Sequence, residues 1–413
     1  MIGSVSEIFE AAAAKYLTAV DAASAQSSNQ HEIGGLVKAG LGHLLGKSSE
    51  DHYYSALFAY IGDDDNFDQN TPIICTDDVN WYDSRRNRPN RSPEFRLYYP
   101  DNEVTHNINE GDLVIVAKMK DGRLALIFTP ENSPAANQLK YLFGFVDLTT
   151  NMKPAKMPAG SLILPVRLLL EEIGINSFSE EDINNDLNLL LEKFPNGLPT
   201  TAVLSELARN LTGIDSRDGA DEALIAWIER EELLFRAYEK HLVTKQLQIG
   251  FGQDGSDVDS FIKFSLSVHN RRKSRAGHAF ENHLTEVFTQ HGLSFERGKG
   301  KLYTEGTQQP DFMFPSFSAY HDPNFPENNL VLLGAKTTCK DRWRQVLAEG
   351  NRLDKKYLIT LQGGITEQQT QQMRDKSLQL IVPREIKSTY SKNQKDWLYD
   401  VAQFIQVVKN KSI

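Results

Sequence analysis

Cysteine is nearly absent from this chain. The two present, Cys75 and Cys339, cannot build a disulfide framework, so a reducing, intracellular setting is expected. No apolar run approaches the length of a bilayer span. The opening Met1-Ile2-Gly3-Ser4-Val5-Ser6-Glu7 lacks the basic start and apolar core of a secretory signal. A cytoplasmic location, with no membrane and no small organic cofactor, is the expectation. A zinc pattern is missing too, because His278, His283 and His321 have no zinc spacing and no cysteine beside them. There is no internal repeat and no low-complexity tail. Positive charge is also short, with 45 Lys and Arg against 55 Asp and Glu, a net charge of −10.

That deficit does not exclude a nucleic-acid partner, because affinity follows the local field at the phosphates and not the total. The basic residues are clustered. Arg271, Arg272, Lys273 and Arg275 form one group, and Arg85, Arg86, Arg88, Arg91 and Arg96 another. The acids gather elsewhere, at Asp63-Asp64-Asp65, Glu171-Glu172, Glu180-Glu181-Asp182 and between Glu229 and Glu232.

At 413 residues the chain is too long for one core, and two domains are expected. The first part opens with a pattern read as an amphipathic helix from Ile8 to Ala22, followed by an Ala/Ser/Gln/Asn-rich loop ending near Asn29. Short strand-like segments follow at Tyr53 to Ile61, Ile73 to Cys75, Phe95 to Tyr99, Leu113 to Met119 and Arg123 to Phe128. Gly, Asn and Asp turns separate them, as in a small β-barrel. Met152 to Pro165 reads as a connector. Helical patterns then run over Glu180 to Phe194, Thr201 to Leu211 and Asp221 to Gln248, more scaffold than site.

Chemistry concentrates near the C-terminal end. Pro310-Asp311-Phe312 is followed by the apolar run Leu330 to Ala335, which reads as a buried strand ending at Lys336. Strand ends are where α/β proteins place sites. Thr337, Thr338 and Cys339 suit a capped strand-to-helix turn. From Asp341 to Glu349 the pattern is helical, with Trp343, Val346 and Leu347 on one side. Tyr357 to Leu361 and Leu378 to Val382 extend the sheet. A strand carboxylate can hold Mg²⁺ against a phosphate oxygen, and a lysine on the next strand can orient an attacking water and offset transition-state charge. Asp311 as a turn residue and Lys336 as a plain strand end is the competing reading of these two residues. Tyr320 is conceivable as a nucleophile, but water is the simpler choice.

Two segments carry a family resemblance. Ser267 to Tyr320, which includes Asn270-Arg271-Arg272-Lys273-Ser274-Arg275-Ala276-Gly277, and Lys336-Thr337-Thr338-Cys339-Lys340-Asp341-Arg342-Trp343-Arg344-Gln345 closely resemble the catalytic domain of EcoRII-type restriction endonucleases. These belong to the PD-(D/E)xK nuclease superfamily. The resemblance spans roughly Phe251 to Ile386 and extends more weakly toward the N-terminus. It departs from the general motif at Gly334, where the superfamily usually carries an acid two positions before the lysine. In the EcoRII-like branch the following helix supplies that acid, and Glu349 matches it.

The resemblance implies an α/β catalytic domain over 176–413, with a central mixed sheet flanked by helices. Over 1–175 it implies a β-rich, B3-like pseudobarrel domain with its connector, binding an effector DNA site. Asp311 and Glu349 would hold Mg²⁺ and Lys336 would orient the water. Glu281, on a helix with Phe280, Leu284, Val287 and Phe288, would touch the metal through water or orient the lysine, or else is a solvated glutamate. Lys340 would reach the scissile region. Lys340, Asp341 and Arg342 would read a short CC-GG type site, as Arg or Lys suits guanine and Asp suits the cytosine amino group. Arg271, Arg272 and Arg275, and on the pseudobarrel loops Arg85, Arg88, Arg91 and Arg96, would grip double-stranded DNA. A twofold-symmetric site calls for a homodimer. A silent DNA-binding regulator on a nuclease fold and a weakly specific repair nuclease are the alternatives.

Overall fold

The computed structural model describes residues 4–22, 31–46, 51–62, 72–88, 90–158, 162–178, 180–252, 254–339 and 342–411. Lys340, Asp341, the acidic run Asp63-Asp64-Asp65 and most of the Ala/Ser-rich loop lie outside them. The chain divides into two compact units, one of Ile2–Ser177 with Gly363–Thr366, the other of Phe178–Gln362 with Glu367–Ile413.

In the N-terminal unit, helix α1 (Val5–Ile8) runs directly into strand β1 (Phe9–Tyr16). Then come β2 (Glu32–Ile33), α2 (Gly42–Leu45), β3 (His52–Tyr60), β4 (Ile73–Asp83), β5 (Phe95–Tyr98), β6 (Leu113–Met119) and β7 (Leu124–Thr129). Helix α3 (Pro134–Phe143), β8 (Lys153–Pro154) and α4 (Leu164–Glu172) complete it. The strands form one sheet in the order β2-β5-β4-β3-β7-β6-β1-β8, antiparallel except for the β3/β7 pair. Both faces are covered, and the period of two sorts the side chains between them. Val114, Val116, Leu124, Leu126 and Phe128 enter one core with Phe58, Val79 and Trp81. Leu113, Ile115, Ala125 and Ile127 enter another with Leu139, Phe143 and Leu170 of the helices. The rings of Tyr99, just after β5, and Phe128 on β7 stand 6.5 Å apart although β4 and β3 lie between their strands. A flat sheet would hold those strands about 14 Å apart, so the sheet curls.

The expected helix from Ile8 to Ala22 is instead mostly strand. Alanine favours helix in isolation. Here β1 pairs with β6 and β8, and Ala12, Ala13 and Ala14 are buried on both faces of the sheet. Burial in the sheet outweighs intrinsic propensity. The connector from Met152 to Pro165 likewise contains β8, which pairs with β1.

The C-terminal unit starts with α5 (Glu180–Lys193), α6 (Thr201–Thr212) and two long helices, α7 (Ala220–Ile249) and α8 (Val258–Gln290). After them come β9 (Glu296–Arg297), β10 (Phe312–Phe314), α9 (Phe317–His321), β11 (Val331–Lys336), α10 (Trp343–Ala348), β12 (Lys356–Thr360), α11 (Glu367–Asp375), β13 (Leu378–Ile381), α12 (Lys392–Lys395) and α13 (Val401–Lys411). The sheet order is β13-β12-β11-β10-β9, with β11, β12 and β13 parallel and β10 antiparallel to both neighbours. Every residue of β12 and β13, and all of β11 before Lys336, is buried, as in a sheet covered on both faces. Phe288 of α8 packs its ring against Phe312, Phe314 and Phe404, joining α8 and α13 to β10. Buried Asp221 of α7 accepts hydrogen bonds from the Val401 and Ala402 N–H groups and so caps α13. The expected architecture is thus the one observed: an α/β domain with a central mixed sheet flanked by helices, and an N-terminal β-rich domain. No described helix is long and apolar enough to cross a membrane.

Candidate active site

Strand pairing brings Asp311 and Lys336 together. Phe312 pairs with Leu333 across the antiparallel β10/β11 ladder, so the residue before β10 lies beside the last turnings of β11. Asp311 Oδ2 accepts from the Ala335 N–H at 2.6 Å and from Lys336 Nζ at 2.7 Å. Both side chains remain partly open, Asp311 at 17% and Lys336 at 12% exposure, which leaves a path for a ligand. Among the described residues, Asp311 Oδ1 has no hydrogen-bond partner.

The second carboxylate arrives from a helix. Gly334 of β11 has no side chain, and a Cβ there would stand 2.6 Å from Val346 Cγ2 of α10. The bare backbone therefore seats α10 directly on the strand, and Glu349 follows at its C-cap. Glu349 Oε2 is sealed from solvent and has no hydrogen-bond partner among the described residues. Burial, then the negative charge of Asp311, pushes its carboxyl up to about 7, with Lys336 and Lys356 pulling the other way. A buried carboxylate atom without a donor is costly unless a cation reaches it.

The turn after β11 is not capped as expected. Arg342 is the N-cap of α10 and makes no side-chain cap bond, while the Cys339 N–H is held by the Gln362 side chain. Cys339 is buried, and burial pushes its thiol up to about 12, so it is packing. Arg342 is exposed.

Several expected residues have other partners. Glu281 of α8 pairs with Arg297 of β9 at 2.6 Å, not with Lys336. Arg297 also bonds Asn282 Oδ1 and lies over the Phe312 ring, tying α8 to β10. In the basic run of α8, Arg272 pairs with Glu239 of α7 at 2.7 Å. Arg275 donates to the Pro199 carbonyl at 2.9 Å and covers the Phe235 ring. Those two guanidiniums are engaged in helix packing, because the helix periodicity turns them toward α7. Arg271 has no ion pair among the described residues. On the N-terminal unit, Arg85 pairs with Glu94 at 2.5 Å, and Arg96 with Glu32 at 2.8 Å and Glu94 at 3.0 Å. Arg88 and Arg91 are exposed and unpaired among the described residues. His283 is buried against Glu231 at 2.9 Å, His321 bonds the Tyr303 carbonyl, and His278 is exposed.

Tyr320 is buried. Its hydroxyl donates to Glu305 and accepts from the Arg352 N–H, and burial followed by Glu305 pushes it up to about 12. A phenol so held is a poor nucleophile. Two groups near Glu349 were not read from the sequence. Lys356 of β12 is buried and donates to the Leu347 carbonyl at the end of α10. Glu305 binds the turn just after Glu349. A lysine opening an otherwise apolar strand was the one available signal for Lys356, and nothing in its local pattern marked Glu305.

A carboxylate before one strand, a lysine ending its antiparallel neighbour and a second carboxylate beside both form the arrangement expected of a PD-(D/E)xK nuclease. Residues 235–405 match the family described as EcoRII C terminal. Type II restriction enzyme EcoRII of Escherichia coli is 41% identical over 185 residues, covering 45% of this chain and 44% of that enzyme. Type II restriction enzyme SsoII of Shigella sonnei is 26% identical over 181 residues, covering 38% of this chain and 58% of that enzyme. The chain thus spans about half the length of the curated relatives it matches. Among solved structures, metal-depleted Ecl18kI in complex with uncleaved DNA aligns with a TM-score of 0.44 at 22% identity, over 56% of this chain and 84% of that one.

Proposed function

We propose that this protein is a sequence-specific type II restriction endonuclease that hydrolyses double-stranded DNA with Mg²⁺. The observation that carries the reading is the contact of Asp311 with Lys336, with Glu349, whose Oε2 is unpartnered among the described residues, beside it. Among the described residues there is no cluster of three or more His, Cys, Asp or Glu to cage a metal. Two carboxylates suit magnesium, which keeps water and substrate oxygens as its other ligands. Asp311 and Glu349 would hold it, and the open Asp311 Oδ1 and buried Glu349 Oε2 fit that role. Bound there, the ion stabilises charge on the phosphate and lowers the pKa of a coordinated water.

The chain's own residues do the rest. Asp311 Oδ2 holds the Lys336 ammonium and the Ala335 N–H at once, which fixes the lysine at the strand end. Lys336 orients the attacking water and offsets the charge that develops on the phosphate. Glu281, through Arg297, braces α8 against β10, the strand that follows Asp311. Arg342, with Lys340 and Asp341, reads a short CC-GG type site of the CCWGG kind, and Lys340 reaches the scissile region. Arg271 contacts the backbone.

The same reading assigns 176–413 to catalysis and 1–175 to a B3-like effector domain, whose exposed Arg88 and Arg91 touch a second DNA site. Two copies of the chain would act as a homodimer on a symmetric site in the cytoplasm. The similarity to type II restriction enzymes supports the nuclease part of this reading. The test is digestion of a multi-site plasmid with Mg²⁺, beside an EDTA control and with added short duplexes carrying CC-GG sites. Discrete metal-dependent fragments support the reading. A smear points to a weakly specific nuclease, and intact DNA in every arm points to a binding protein.

A further inference from the structure

Glu349 hangs from the C-terminal end of α10, a helix of only six residues, and its own helix gives it little rigidity. The turn that follows is held from outside. Glu305 Oε2 accepts from the Gly350 N–H at 3.0 Å, and Oε1 accepts from the Asn351 N–H at 2.9 Å. The same carboxylate receives the Tyr320 hydroxyl, which in turn accepts the Arg352 N–H at 3.2 Å. Arg352 closes the arrangement by donating to the carbonyls of Tyr320, Asp322 and Phe325. Gly350 has φ +62, and a Cβ there would stand 2.5 Å from Leu332 Cδ1, so the turn is also pressed onto β11.

We propose that Glu305 is a positioning residue for Glu349: its carboxylate clamps the two backbone N–H groups that follow Glu349 and so aims that side chain at Asp311. The inference rests on the nuclease reading above. Glu305 touches neither substrate nor metal in this scheme. It acts through the backbone, and Tyr320 serves it as a hydrogen-bond donor. A carboxylate is needed because both oxygens accept from fixed donors. In a glutamine the amide NH₂ would face either the Gly350 or the Asn351 N–H, and one of those bonds would be lost.

The experiment compares the full chain with Glu305→Gln and, as a milder variant, Tyr320→Phe. Single-turnover cleavage of a duplex is read with three other measurements: thermal melting, duplex affinity without metal, and amide hydrogen exchange at Gly350 and Asn351. Glu305→Gln is expected to cut roughly a hundredfold more slowly, the order expected for a small misplacement of a reacting group. Metal-free affinity should stay near the parent value and melting should fall only slightly, while exchange rises at Gly350 or at Asn351. Tyr320→Phe should show the same pattern with a smaller loss. Cleavage by Glu305→Gln at the parental rate overturns the inference, and so does exchange that is unchanged at both amides. If Glu305→Gln does not fold, the same decision falls to Tyr320→Phe. A parent protein that leaves DNA intact overturns the nuclease reading itself, which sets that outcome apart.

Discussion

Gly334 of β11 and Val346 of α10 meet with no space for a side chain between them, since a Cβ at 334 would lie 2.6 Å from Val346 Cγ2 and 3.5 Å from Leu358 Cδ1. This contact leaves no room for an acid two positions before Lys336, and on the proposed reading Glu349, at the end of the helix, takes its place. A strand that carries a side chain here cannot seat α10, and without α10 so close Glu349 does not reach the site. Gly334→Ala is therefore expected to lower unfolding free energy by about 1–3 kcal/mol through overpacking. Chemical denaturation measures it. Adding Val346→Ala should recover part of the loss, and no recovery would remove Val346 as the obstacle. Gly334→Asp, which restores the usual superfamily acid, should fail to give an active enzyme.

Asp311, proposed above to hold the metal, also fixes Lys336 through its Oδ2. Asp311→Ala is expected to abolish cleavage in a plasmid assay with Mg²⁺. Duplex binding without metal should persist in a gel-shift assay, as removing a carboxylate also removes repulsion from phosphate. Retained cutting would sink the assignment.

Glu349 gives a pH signature in the metal-free protein. Its carboxyl is raised from the ordinary 4.5 to about 7, by burial first and then by Asp311. Between those values the folded protein keeps a proton that the unfolded chain has released, so the group's contribution to stability is lost as pH rises through the window. Glutamine keeps the shape and removes the titration. Glu349→Gln should melt close to the parent at pH 5 and above it at pH 8, by a margin of about 2–3 kcal/mol at most. Melting curves at the two pH values in EDTA decide it, and a pH-independent gap would show that Glu349 is not buried as described.

The basic loop of the N-terminal unit separates into free and paired arginines. Arg88 is exposed without a partner among the described residues, whereas Arg96 is tied to Glu32 and Glu94. Arg88→Ala should weaken binding of the full chain to duplex DNA and reduce the salt dependence by about one counterion. It should leave the single-turnover cleavage rate unchanged. Arg96→Ala should act mainly on melting temperature. Equal affinity for parent and Arg88→Ala across a salt series would return this loop to a merely solvated surface.

The sequence by itself determined the parts with a local signature. The apolar run before Lys336 makes β11, the short apolar segments around Leu113 and Leu126 make β6 and β7, and the helical stripes after Phe178 make α5, α6 and α7. Asp311 and Lys336 were visible because each sits at the edge of such a run, where a polar residue stands out. Glu349 was visible only through the resemblance, since its own helix is short and its neighbours ordinary. Tertiary structure alone decided the rest. It turned the alanine run of β1 from helix to strand, because that run pairs with β6 and β8 and is buried on both faces of the sheet. It drew Arg272 and Arg275 into contacts with Glu239, Pro199 and Phe235, so a basic run in one dimension became packing in three. It also brought Glu305 to Gly350 and Lys356 to Leu347. Backbone periodicity acts over a few residues and leaves its mark in the chain, whereas a hydrogen bond or a close packing contact between distant segments leaves none until the chain has folded.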